Sequence, residues 1–312
     1  MGITRRAIQV VLGLLWLLDG ALQLQPFMFG PGFAHQVIAP AAEGQPGFVA
    51  VGVHWAVSLI GTQPVVWDYL FAVAQLLIGL GLLVPATVRP ALVASIGWAL
   101  GVWYMGEGLG GLASGHADML TGAPGAALMY AVLGVAAWPR TTKPTRDPAL
   151  HSARRLPPAW LPVAWAALWV GDAVLRALPG QNTTAALAGE ISGNVDGAPL
   201  WLAHVDQSVA AAVRDVRPAA VVVLVLLELA IGVAGLLPGA VRWLAATAGI
   251  ALSLCFWVVG QSLGELYTGQ ATDPDTAPLV ILMALAMASV PALRTATSRA
   301  TAETGSREPA TE

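Results

Sequence analysis

Cysteine is nearly missing: Cys255 is the only one in 312 residues. That excludes an internal disulfide, a paired-thiol redox motif, a covalent haem attachment and a cysteine metal cluster. Cys255 itself lies inside an apolar run and reads as a small buried hydrophobe. Charge is scarce too, 11% of residues against about 25% in soluble domains. What charge there is sums to −3, so the chain offers no basic surface for nucleic acid. No HxH or HxxxH spacing occurs, and no glycine-rich nucleotide loop. The sequence therefore predicts no metal site built by local spacing.

Apolar residues, at 56%, fill the space that charge leaves. They come in blocks near the roughly 20 residues that cross a bilayer, and the blocks are continuous rather than alternating, which calls for helices instead of barrel strands. Eight transmembrane helices are expected, at about 7–24, 66–84, 90–107, 124–138, 159–178, 219–237, 243–261 and 278–293. The fourth is short and is expected to extend at its outer end. Arg5 and Arg6 before the first run suggest a signal peptide, but no A-x-A-like cleavage site follows and a copy of the run lies mid-chain. The first run is therefore taken as a retained span.

The chain is written twice. Trp16-Leu-Leu-Asp19-Gly-Ala-Leu22 returns 153 positions later as Trp169-Val-Gly-Asp172-Ala-Val-Leu175. At the same offset Gln75 becomes Glu228, Gly79 becomes Gly232, Pro85 becomes Pro238 and Arg89 becomes Arg242. After a one-residue slip Trp103, Gly106, Glu107, Leu109, Gly110 and Pro124 align with Trp257, Gly260, Gln261, Leu263, Gly264 and Pro278. A period this long marks a duplicated domain rather than a solenoid. The expected organisation is a first four-helix membrane repeat at 1–138, a cytoplasmic linker at 139–158, a second repeat at 159–293 and a disordered cytoplasmic tail at 294–312. Four spans per repeat make the repeats parallel, forming two four-helix bundles.

Positive charges orient the bundle. Arg5, Arg6, Arg89, Arg140, Lys143, Arg146, Arg154, Arg155, Arg242, Arg294, Arg299 and Arg307 fall on one side; only Arg176, Arg214 and Arg217 fall at or beyond the other. Both termini are accordingly expected in the cytoplasm, with the protein multi-pass in the cell (plasma) membrane. Each repeat has one long outer loop, 25–65 and 179–218, carrying an apolar stretch of 11–13 residues around His54-Trp55 and Trp201–His204. Such stretches are too short to span and are expected to lie at the interface or re-enter.

Polar residues inside the spans are the candidate site. Asp19 and Asp172 sit in the first span of each half, where an acid costs about 2.5–3.5 kcal/mol and needs a partner or a wet cavity. Asp172 has Arg176 four residues on, on the same helix face, so an interfacial ion pair competes with a functional role. At the corresponding place Asp19 has Gln23 and no cation. Trp16 and Trp169 each precede these acids by three residues, on the same face. Gln75 and Glu228 are mid-span in the second helices, and Glu107 and Gln261 end the third, so the halves exchange acid and amide at both positions. Glu228, flanked by leucines, is read as lacking a cation; it is either a neutral carboxyl bonded across helices or a proton carrier or quinone head-group partner. Gly97-x-x-x-Gly101, Gly106-x-x-x-Gly110 and Gly260-x-x-x-Gly264 suggest close helix crossings. Asp273-x-Asp275 could touch a cation, but two carboxylates in a proline turn are expected first of all to be a solvated turn. His54 and His204, beside Trp55 and Trp201, are outer-loop candidates whose plainer role is interfacial, and no metal is expected.

The segment Leu76-Leu-Ile-Gly79-Leu-Gly-Leu-Leu-Val-Pro-Ala-Thr-Val-Arg89-Pro-Ala-Leu-Val-Ala resembles the second-to-third-helix hairpin of the DoxX/DoxD-like membrane proteins, and Leu229-Ala-Ile-Gly232 to Arg242-Trp-Leu-Ala repeats it. The resemblance implies a four-helix unit, here in tandem, and a redox-associated membrane subunit working with a quinone or with a membrane-associated oxidoreductase partner. It assigns no catalytic residue. Three roles are thus expected to compete: a redox-linked subunit, a small-solute or proton-coupled permease, and a membrane anchor or scaffold in which the acids are structural.

Overall fold

The computed structural model describes residues 2–140, 156–193, 198–216 and 218–291. These fold into α1 (Arg5–Leu22), α2 (Gly47–Thr62), α3 (Pro64–Leu83), α4 (Val88–Met105), α5 (Ala126–Ala136), α6 (Leu161–Arg176), α7 (Thr184–Gly193), α8 (Leu200–Val216), α9 (Pro218–Leu236), α10 (Ala240–Val259) and α11 (Thr276–Ala288), with no strand among the described residues. Each of the eight apolar segments is a helix. Three of them, α3, α9 and α10, are long and apolar enough to cross a membrane.

Local chemistry sets the helix ends. Thr4 caps α1, its hydroxyl oxygen accepting from the Ala7 N–H at 3.2 Å. Pro64 opens α3 at the position where a missing N–H costs nothing. The open carbonyls at the far ends are closed by arginines. Arg6 donates to Leu82 O (2.9 Å) and Leu83 O (2.5 Å), and Arg5 to Ala136 O (2.9 Å) and Trp138 O (2.8 Å). In the second half Arg242 donates to Gly235 O at 3.2 Å and Val290 O at 2.8 Å. The partner of Arg242 in this role is Arg6; Arg89, its sequence match, is exposed.

The repeat is visible in the backbone. Leu109-Gly110 and Leu263-Gly264 adopt the same left-handed turn, at φ 59 and 60 and at φ 57 and 65. Trp103 Nε1 donates to Pro124 O at 2.8 Å and Trp257 Nε1 to Pro274 O at 2.9 Å. Pro124 therefore corresponds to Pro274 and not to Pro278. The sequence alignment missed this because the two loops differ in length.

Several expectations are corrected. The fourth segment does not lengthen outward: α5 starts at Ala126 after Gly125 at φ 101, and its 11 residues run only about 16 Å. The outer-loop helices are longer than expected, 16 residues in α2 and 17 in α8, and α7 was not anticipated. Of the glycines, Gly97 looks into open space and Gly110, Gly260 and Gly264 lie against loop residues. The close crossing is instead Gly13 with Gly79, where a Cβ on either would come within 3.0 Å of the other's carbonyl oxygen. Cys255 is exposed on α10. The tail from 294, most of the linker and His151 lie outside the described residues.

Candidate functional site

The second half is closed by one cation. Arg176, at the end of α6, is 1% exposed. Its guanidinium meets Asp118 at 2.5 Å, Glu228 at 3.2 Å, Asp172 at 3.6 Å and Glu190 at 3.9 Å. Glu228 thus has a cation, contrary to the sequence reading; the spacing along one helix could not show that Arg176 reaches across to α9. The nearest of the four acids, Asp118, comes from the outer loop of the other half. That loop is held further, with Asp172 Oδ1 accepting from Met119 N–H at 2.8 Å and Gln261 Nε2 donating to Met119 O at 2.8 Å. Below the ion cluster, Trp169 packs between Trp165 and Phe256, ring centroids 5.4 and 6.4 Å away. Trp165 stands where the first half has Leu12, and Gly235 and Gly249 give it room: a Cβ at either would lie within 2.4 Å of its ring.

The first half keeps the same frame but is hollow. A cavity of about 760 Å³ opens between α1, α2, α3, α4 and α5 and the 33–41 segment. Its walls are apolar and aromatic, with Trp16, Phe33, Trp55, Phe71, Trp98 and Tyr130, and its polar lining is Asp19, Gln23, Gln75, Glu107, Thr272 and Asp273. No Lys, Arg or His is among the described lining residues. Trp16 is fixed by a 2.9 Å bond from Nε1 to Ser95 Oγ and by the Tyr130 ring, 4.6 Å between centroids. The Tyr130 hydroxyl stands beside the Asp19 carboxyl without closing a full hydrogen bond. Glu107 Oε1 accepts from Ala127 N–H at 3.0 Å. Its other oxygen, together with Asp19 Oδ1, Gln75 Oε1 and Trp98 Nε1, is buried without a hydrogen-bond partner among the described residues. Buried polar atoms are paired in the great majority of cases, so each of these atoms has capacity left for a bond to something in the cavity. Gln23 turns away to donate to Asp68.

The outer loops cross between halves in both directions. Asp118 from the first half reaches Arg176, and Thr272-Asp273 from the second half lines the first-half cavity. A polar chamber of about 530 Å³ between the loops shares Glu107, Ala126, Thr272 and Asp273 with the apolar cavity. Asp273 and Asp275 are therefore half-buried rather than solvated, with Asp275 Oδ1 accepting from Thr276 N–H at 2.5 Å. Burial lifts Asp273 above the ordinary carboxylate range, while burial and then the Asp273 charge push Asp275 up to about 7. Burial acts first on Glu190, about 7, and on Asp206, about 6, in the same direction. An acid that holds its proton more tightly when folded adds stability at low pH and loses it as pH rises through the folded value. The detergent-solubilised protein is expected to melt higher at pH 5 than at pH 8, and Asp275→Asn to narrow the gap. A melting temperature independent of pH over that range would contradict the burial of these loops.

Sequence reasoning singled out Asp19, Gln75, Glu107 and Trp16, and all four line the cavity. Asp172, Glu228, Gln261 and Trp169 gather instead in the filled half. His54 and His204 are exposed on separate helices and join neither group. Among the described residues no three His, Cys, Asp or Glu side chains are arranged to hold a metal. Asp118, Tyr130, Trp98 and Asp273 were not selected; the loop exchange brings in Asp118 and Asp273, and the packing of α4 and α5 around the cavity brings in Trp98 and Tyr130. Comparison with family models, curated proteins and solved structures finds no match to this chain.

Proposed function

We propose that this chain is a multi-pass plasma-membrane protein that binds an amphiphilic small molecule between the helices of its first half, while the second half is a filled, structural copy. In this reading all eight apolar helices lie in the bilayer and both termini are cytoplasmic. Apolar side chains on the outer faces support the first point, Leu77 and Val223 being 64% and 62% exposed. The arginine-capped helix ends and the half-exposed Trp138, Trp160 and Trp243 around them support the second. The observation that carries the proposal is the contrast within one chain: buried acids around an open cavity whose described lining has no cation in one repeat, and acids gathered on Arg176 above a tryptophan-filled core in the other. An anchor with purely structural acids would have no reason to leave that cavity open.

The redox-linked role implied by the DoxX/DoxD resemblance remains part of the proposal: an aromatic cavity with carboxyl and hydroxyl groups at one end suits a quinone-like head. The permease role has its own support in the polar chamber, whose Glu107, Thr272 and Asp273 also line the cavity. Native mass spectrometry of protein gently released from its own membrane tests the common part. A small apolar molecule is expected to co-purify with the wild type and to be lost from Asp19→Asn. Recovery with phospholipid alone, together with full rescue of a deletion strain by Asp19→Asn/Glu107→Gln, would overturn it.

A further inference from the structure

The repeat itself indicates what the cavity is built to hold. Superposing the halves by sequence sets Asp19 on Asp172, Gln23 on Arg176 and Gln75 on Glu228. The exchanged loops add Asp273 to the first set and Asp118 to the second. In the second half these acids converge on the Arg176 guanidinium. In the first half Asp19 and Asp273 face the same kind of space, joined by Glu107, and position 23 carries a glutamine that bonds elsewhere. Asp19 is 2% exposed and its Oδ1 has no partner; Gln75, 8% exposed, likewise leaves its oxygen unpaired.

We infer that the first-half cavity binds an amphiphile with a cationic, hydrogen-bond-donating head, a guanidinium or primary ammonium, which takes the place that Arg176 fills in the second half. This rests on the reading of the cavity as a ligand site. The head is held by Asp19, Asp273 and Glu107, whose oxygens are acceptors matched to N–H donors. The rings of Trp16, Trp98 and Tyr130 add cation–π attraction at the rim of the polar end. The apolar body lies along α2 and α4, where Gly97 and Gly101 keep the wall recessed. A neutral head would leave Asp19 without the kind of cation that its counterpart Asp172 has in Arg176.

The test uses the full chain in phosphatidylcholine nanodiscs with octylguanidinium and its near-isosteric neutral analogue octylurea, plus a short-chain benzoquinone. Octylguanidinium is expected to bind at least about tenfold more tightly than octylurea and to lose that preference in Asp19→Asn/Asp273→Asn. Gln23→Arg/Gln75→Glu, which writes the second-half ion pair into the first half, is expected to abolish binding while raising the melting temperature. The rise in melting temperature separates occupation of the site by its own side chain from misfolding. Equal or tighter binding of octylurea or the benzoquinone would overturn the cationic head and leave the cavity's role standing. Binding of none of the three, with a correctly folded protein, would overturn both.

Discussion

Arg176→Gln is expected to destabilise the protein by about 3–5 kcal/mol, the usual cost of removing one member of a buried charge cluster. The size follows from what is left behind. Asp118, Asp172 and Glu228 are all at most 3% exposed, and each would face its neighbours without the one cation they share. Loss would appear as a lower melting temperature and poorer recovery from the membrane. Arg176→Lys should fall between, since an ammonium cannot address several carboxylates through a planar fork. The diagnostic variant is Arg176→Gln/Glu228→Gln, which restores the pair found at Gln23 and Gln75 in the other half. It is expected to recover a large part of the loss by removing one orphaned carboxylate. If the double variant is as unstable as the single one, the ion cluster is not the source of the stability.

Filling the cavity is expected to have the largest effect on function. Gly97 and Gly101 lie one turn apart on α4, and a side chain added at Gly97 meets nothing within 4 Å, at Gly101 only the Met105 terminus at 3.7 Å. Gly97→Leu/Gly101→Leu should therefore be accepted by the fold and project bulk into the space. The bound molecule is expected to be lost, at least about tenfold in affinity, with the melting temperature unchanged or higher. Glycine-to-leucine in a helix also improves propensity by up to ~1 kcal/mol, so a fall in stability would mean that the recess is smaller than the geometry indicates. Native mass spectrometry and a thermal-unfolding curve on the same preparation give both readouts.

The eight apolar helices were legible because each is a long, mostly apolar run bounded by Pro, Gly or Arg, whereas α7 is short and mixed and gave no such signal. Half of the site was legible for a different reason: an acid inside an apolar run, such as Asp19 or Glu228, is costly and draws attention by itself. What could not be read was which carboxylate meets which cation. Arg176 looked like the i+4 partner of Asp172, and nothing local pointed to Asp118, 58 residues earlier. Asp273 looked solvated because prolines and threonines surround it, yet the loop folds under the other half. Contacts between elements distant in the chain leave no periodic trace, and the glycine pairs misled for the same reason: close approach at Gly260 and Gly264 is to loops, not helices.

The two-way exchange of outer loops also sets an order in time. A chain threaded into the membrane from its N-terminus presents Asp118 before Arg176 has been made, so the second half can dock on a carboxylate already in place. The reverse contribution comes last: Thr272 and Asp273, which line the first-half cavity, are synthesised only when nearly the whole protein has been inserted. The cavity walled by the earliest helices is therefore completed by one of the latest loops, and a chain cut short before Thr272 would leave it without that side of its lining.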